Sequence, residues 1–472
     1  MKIRDCGREG KGSTMKTASK KDVREICRWV YVFLMGILLL WHLYSIATFK
    51  NDYHTPAWVK AGRCAAAVMA VWLGKLWKER GFRFLLAFWM LLFLRVCIPD
   101  GGSLLAKETV QESLLLGVWL FAACFGLPKV LGREELKRFL AVILSAWTAG
   151  MAAYSAVGIY AAWAGRTVYT IGGTGYWCVR AARLNLVFYA TTAASMLCCS
   201  AMAATGLTIC AKKTRIRLLL IPALVLMLTA MSLTDARTAR ILFSLGMGGF
   251  ACAGLIRRLR KAGKSETACR IAGILGLAAV AAGVLFLLGQ VTPLFNTIRL
   301  CGGALIRSAA AEAQEGTATL ISSRGIDGLS GREEIWSATL RYLWEKPMNL
   351  LTGTSVYDAM DGPNSLTSIY YPHCHNTLLQ VLLESGIPGL LLVCCFAGTV
   401  LTRGVRLIFT KEKKPAWAVV TAVVVFAMWV GELEECFIVL LRHYTPTQAL
   451  VFIGMGIICV YGKKEKDQAV TS

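Results

Sequence analysis

Apolar residues along this chain arrive in long blocks, not in the three-to-four-residue rhythm of a surface helix, and short basic stretches separate the blocks. A hydrocarbon core about 30 Å thick needs roughly 20 apolar helical residues per crossing. Runs of that kind are centred near Leu38, Ala67, Met90, Leu120, Ala152, Ser195, Leu226, Met247, Val280, Val393, Val424 and Ile457. The pattern predicts an all-α, polytopic transmembrane bundle of about 12 spans. Residues 1–28 form a basic N-terminal segment, 29–290 hold spans one to nine, and 291–372 form one large loop. Residues 373–462 supply the last three spans and 463–472 a short tail.

Composition agrees with that class: of 472 residues 56% are hydrophobic and 17% charged. The net charge of +24 does not point to nucleic acid, because its Lys and Arg residues sit between apolar runs. The clusters are the N-terminal segment, Lys75 to Arg83, Lys129 to Arg138, Lys212 to Arg217, Arg257 to Arg270, Arg403 to Lys414 and the Lys463-Lys464 tail. All fall on one side if every run crosses, and the positive-inside rule makes that side the cytoplasm. Both termini are then cytoplasmic, and Trp29 to Thr48 is a retained span rather than a cleaved leader. The seventeen cysteines lie mostly inside apolar runs with no C-x-x-C pair, so they read as small hydrophobes.

The same topology puts Arg237, the loop 291–372 and the connection Glu432 to His443 outside. Arg237 and Arg240 lie three residues apart at a membrane boundary, either a snorkelling pair or an anion site whose planar forks suit phosphate oxygens. Arg332 opens a helical segment, Ser337 to Trp344, that Pro347 ends; a helix lying at the membrane surface is the plainer reading. His375-Asn376 stands where the chain re-enters the apolar region. The stretch Thr377 to Leu383 is too short to cross, and Gly386-Ile-Pro388-Gly389 would break it into a half-helix. Three adjacent candidates, His373-Cys374-His375, are poorly spaced for zinc and have no partner pair nearby, so no metal site is assigned.

His375-Asn376, nine residues, then Gly386-x-x-Gly389 resembles the signature of the O-antigen ligase and polymerase superfamily, membrane glycosyltransferases of the GT-C type. Gly331-Arg332-x3-Trp336, Pro347, Gly353 and Glu384 fit its surroundings, and roughly Arg237 to Leu392 carries the likeness. The resemblance implies Arg237, Arg332 and His375 as catalytic residues, with Arg240 and Asn376 at the substrate and Gly386 and Gly389 structural. Ala236 stands where the family often has Ser, which leaves Arg240 a competitor of Arg237. Arg183-Leu-Asn185 faintly echoes a further family arginine and asparagine.

It further implies a bacterial inner-membrane enzyme with its site facing outside, needing no cofactor. A glycan on undecaprenyl pyrophosphate would pass, with inversion, to a hydroxyl on a glycan, lipid or wall polymer. A repeat-unit polymerase is the alternative within the superfamily. A polysaccharide or lipid transporter is the alternative outside it, and should show repeats and charges at mid-membrane.

Overall fold

A computed structural model describes residues 11–47, 55–97, 107–165, 168–171, 174–180, 182–185, 190–307, 332–354, 359–410, 412, 414–433 and 445–463. The extreme N-terminal basic residues, Gly331 and most of the loop before it, His443 with most of its connection, and Lys464 onward lie outside them.

Every one of the twelve predicted run centres falls on a helix. In order these are α1 (Lys11–Ala47), α2 (Ala57–Gly74), α3 (Arg80–Cys97), the continuous run α4 (Glu108–Val118) to α5 (Phe125–Val130), α6 (Arg133–Trp163), α7 (Ala190–Cys210), α8 (Thr214–Leu233), α9 (Arg237–Lys261) and α10 (Glu266–Arg307). Three short helices follow: α11 (Arg332–Glu345), α12 (Pro347–Thr352) and α13 (Asp361–Asn364). The chain then returns through α14 (Thr377–Phe409), α15 (Ala416–Gly431) and α16 (Thr445–Tyr461). Among the described residues 8 helices are long and apolar enough to cross a membrane, and α15 and α16 are apolar but shorter. The remaining two, α2 and α3, have 18 residues each, and cations inside both dilute their apolar character.

Not all of the chain is helix. Two short antiparallel hairpins, Val168–Ile171 with Thr174–Trp177 and Val179–Arg180 with Arg183–Leu184, connect α6 to α7. Their alternation is too brief to register beside twelve apolar runs. α10 is also longer than its apolar run, continuing as helix past residue 291, where the predicted loop begins, to Arg307.

The main core joins α1–α10 with α14–α16, and small residues set its helix spacing. A Cβ at Gly248 would stand 2.5 Å from the Leu277 carbonyl of α10, and one at Gly249 would stand 2.6 Å from Val423 of α15. A Cβ at Gly273 of α10 would likewise stand 2.7 Å from Ile256, and one at Gly246 would stand 3.6 Å from Ala427 of α15, so partner numbers fall as α9 advances and α9 is antiparallel to both neighbours. The N-terminus of α9 therefore shares one end of the bundle with the C-terminus of α15 and the start of α14. At the opposite, basic end, the buried carboxylate of Glu79 gathers Arg403, Lys463 at 2.8 Å and Lys129 at 3.6 Å. That cluster ties the start of α3, α5, α14 and the segment just after α16 together.

Candidate functional site

α14 is two helices joined at a kink. Gly386 has φ 66 and ψ −170, so the ladder stops there, and Pro388 occupies the first turn of the second half, where its missing N–H is no loss. Breaking the ladder frees the Leu383 carbonyl, and a buried carbonyl needs a donor. The Thr354 N–H and hydroxyl supply two, at 2.8 and 2.9 Å. The loop backbone comes close enough to do this because Gly353, also left-handed at φ 76, has no Cβ: one would lie 2.3 Å from the Glu384 carbonyl. Arg95, from the end of α3, donates to the carbonyls of Gly353 (2.5 Å) and Thr354 (2.7 Å), fastening the seam from the other side. Gly389 lies against the Ser385 side chain and Leu91 of α3.

Upstream of the break, the first half of α14 is capped by Asn376, whose side-chain oxygen accepts the Leu379 N–H at 3.0 Å. Its amide NH2 reaches the Leu433 carbonyl at 3.1 Å, and the Thr377 N–H donates to the Glu432 carbonyl at 2.8 Å, so α14 starts against the end of α15. His375, just before the cap, is left-handed at φ 50, a conformation that costs free energy unless its surroundings hold it. Here they do. The His375 N–H donates to His373 Nδ1 at 3.2 Å, and the two imidazoles lie 4.1 Å apart, tilted by 50°. The Cys374 N–H donates to the Gln380 side-chain oxygen at 2.8 Å, and Gln380 in turn donates to Glu384 at 2.8 Å. Glu384 thus orients the amide that positions the backbone beside His375.

The loop helix α11 docks on this turn and shares a small apolar core with it, in which Ile335 and Leu343 meet Tyr371, Cys374 and Leu383. The Trp336 indole donates to the Cys374 carbonyl at 2.8 Å. Glu334 accepts from the Ser368 N–H and hydroxyl, at 2.6 and 2.8 Å, and from the Tyr371 hydroxyl at 3.1 Å. The Ser368 backbone N–H, before its hydroxyl, holds the Glu334 carboxyl below the usual range. Tyr371 presents its ring edge-on to His375, with centroids 6.5 Å apart, and Asn364 clasps the Tyr371 backbone at both N–H and carbonyl. Arg332, half-buried, is the first residue of α11, one turn before Trp336. The loop arginine and the histidine therefore belong to one assembly.

Arg237 is placed by a different device. Asp235 is left-handed at φ 52, the Thr234 hydroxyl accepts the Ala236 N–H at 3.3 Å, and α9 begins at Arg237, which is half-buried. Arg240 is buried and donates to Asp235 at 3.1 Å, so its guanidinium helps to hold that turn. Arg183 of the second hairpin donates to the Thr234 carbonyl at 2.9 Å, which puts the arginine of the Arg183-Leu-Asn185 segment at the same turn. The antiparallel register of α9 and α15 sets Arg237 at the His375 end of the bundle. The two stand on separate elements.

Burial pushes the Cys374 thiol up to about 12. Among the described residues no group of three His, Cys, Asp or Glu side chains is arranged to hold a metal ion. Sequence reasoning gave no role to Arg95, Gln380, Glu334 or Tyr371. Only their contacts reveal them, since each acts by holding backbone or another side chain.

Residues 222–394 match the family model described as O-antigen ligase, enclosing the whole stretch from Arg237 to Leu392. No curated protein matches the chain at a significant level.

Proposed function

From a multi-pass membrane protein that carries an O-antigen ligase domain over residues 222–394, we propose a glycosyltransferase that moves a glycan from undecaprenyl pyrophosphate to a hydroxyl acceptor at the outer face of the bacterial inner membrane. The observation that carries the proposal is His375, held left-handed at the tip of a broken membrane helix while α11 brings Arg332 to the same assembly.

His375 accepts the proton of the attacking hydroxyl as the bond to the anomeric carbon forms. The bond from that carbon to pyrophosphate breaks on the opposite face, which inverts the centre. Arg237 and Arg332 take up the charge growing on the departing pyrophosphate, a task their forked donors suit. Arg237 fills this role and Arg240 supports it through Asp235. Asn376 orients the histidine turn through its cap. Twelve crossings leave both termini on the basic, cytoplasmic side, with the site opposite.

The test is glycan transfer in reconstituted membranes, wild type against His375→Ala, Arg237→Ala and Arg332→Ala at matched amounts, with and without chelator. Transfer should fall at least about 100-fold in His375→Ala and drop in both arginine variants, indifferent to chelator. Undiminished transfer in His375→Ala would overturn the assignment of the base, whereas movement of the lipid-linked glycan with no bond formed by wild type would favour the transporter reading.

A further inference from the structure

At the end of the bundle remote from His375, α6, α7, α8, α15 and α16 leave a crevice of about 310 Å³. It runs from Lys137, Cys210 and Trp417 at its mouth toward Cys199 and Leu450 deeper in the bundle. Its walls are mostly aliphatic, and among the described residues Lys137 is the sole charged one that lines it. The lip formed by the α7–α8 turn, between lining residues Ala211 and Ile216, carries Lys212, Lys213 and Arg215, all exposed, with exposed Arg217 just beyond. Arg257 and Lys137 both bear electrostatically on the Cys210 thiol, so positive charge surrounds the opening. The acidic residue near Lys137 is exposed Glu134, 3.7 Å away. Trp417 packs edge-on to Tyr461 with centroids 5.0 Å apart, an amphipathic aromatic pair of the kind that sits at headgroup level.

An apolar slot with a cationic, aromatic-bordered mouth matches one occupant. We propose that it holds an acyl chain of an anionic phospholipid from the leaflet on the basic side, the headgroup phosphate resting on Lys137, Lys212 and Lys213. Basic pockets between membrane helices on the cytoplasmic side recognise anionic lipid in this way. Occupancy wedges lipid between α6–α8 and α15–α16. α8 and α15, which end at Leu233 and Gly431 just ahead of Arg237 and Glu432, are thereby tied to the composition of the leaflet opposite the site. This assignment does not depend on the chemistry at His375.

The full-length protein, delipidated in detergent, would be titrated with phosphatidylglycerol or phosphatidylcholine and its bound lipid counted by native mass spectrometry. Wild type should retain phosphatidylglycerol in preference. Lys137→Gln/Lys212→Gln/Lys213→Gln, all at exposed positions, should weaken that retention by about fivefold for each lysine removed and erase the preference. Ala141→Phe, which fills the slot, should lose both lipids while its melting temperature without lipid stays that of wild type. Equal retention of the two lipids by wild type, or undiminished phosphatidylglycerol binding in the triple variant, would overturn the proposal.

Discussion

The indole of Trp336 donates to the carbonyl of Cys374 at 2.8 Å, and that carbonyl belongs to the peptide leading into left-handed His375. One side chain thereby joins the loop helix that starts with Arg332 to the backbone that aims the histidine. Trp336→Phe keeps the ring in place and orphans the carbonyl, at about 1–3 kcal/mol. We expect glycan transfer to fall roughly tenfold and the melting temperature to drop by about a few degrees. Unaltered transfer would mean that this contact does not set the histidine.

Gly386 and Gly353 cross backbone to backbone. A methyl group at Gly386 would lie 2.5 Å from the Leu351 carbonyl, at a φ that L-residues avoid. Gly386→Ala should cost about 2 kcal/mol or more and abolish transfer. On the same helix a methyl group at Gly398 would meet no neighbouring atom within 4 Å, so Gly398→Ala is the control and should be neutral or slightly stabilising. Parallel thermal unfolding of the two variants in detergent separates the outcomes.

The Glu334 carboxyl is held below its ordinary value first by the Ser368 N–H, then by the Ser368 hydroxyl, with Tyr371 adding less and burial opposing. A depressed carboxyl favours the folded state fully above the unfolded pKa of about 4.3, and the contribution disappears as pH falls through the depressed value. Docking of the 365–371 turn on α11 should therefore be constant from neutral to mildly acidic pH and loosen only below the usual carboxylate range. At neutral pH, Glu334→Gln should already speed amide hydrogen exchange at Ser368. Equal exchange in the two proteins would refute the contact's role.

Glu79 is buried with a side-chain exposure of 2% among Arg403, Lys463 and Lys129, drawn from three other parts of the bundle. Removing the carboxylate leaves three cations facing one another. Glu79→Gln should destabilise the protein by about 3 kcal/mol, read as a lower melting temperature, whereas transfer per folded molecule should hold. A melting temperature equal to wild type would show that the cluster is solvated enough to dispense with its anion.

How much of this was legible beforehand follows from what each feature is made of. The helices were, because about 20 consecutive apolar residues have little alternative to helix in hydrocarbon. The broken helix was also readable, since Gly386 and Pro388 interrupt an apolar run at a place where no loop is needed. Trp336 and Asn376 appeared at the right positions, though not their bonds. Arg95 could not be seen: its partners are the carbonyls of Gly353 and Thr354, more than 250 residues away, and carbonyls leave no mark on a sequence. The hairpins between α6 and α7 were too short to compete with the hydropathy signal. Arg183 looked like a faint echo until its bond to Thr234 put it at the Arg237 turn.

The join between Gly353–Thr354 and the broken helix is made largely of main-chain atoms, with Arg95 as its bolt. Main-chain chemistry is the same whatever side chains surround it. Exposed loop residues such as Ile369 and Tyr370 can therefore be exchanged wholesale without shifting the histidine. Under the proposed function, a scaffold of this kind would change the molecules it accepts while His375 stays put, and new specificities would arise by drift in the loop alone.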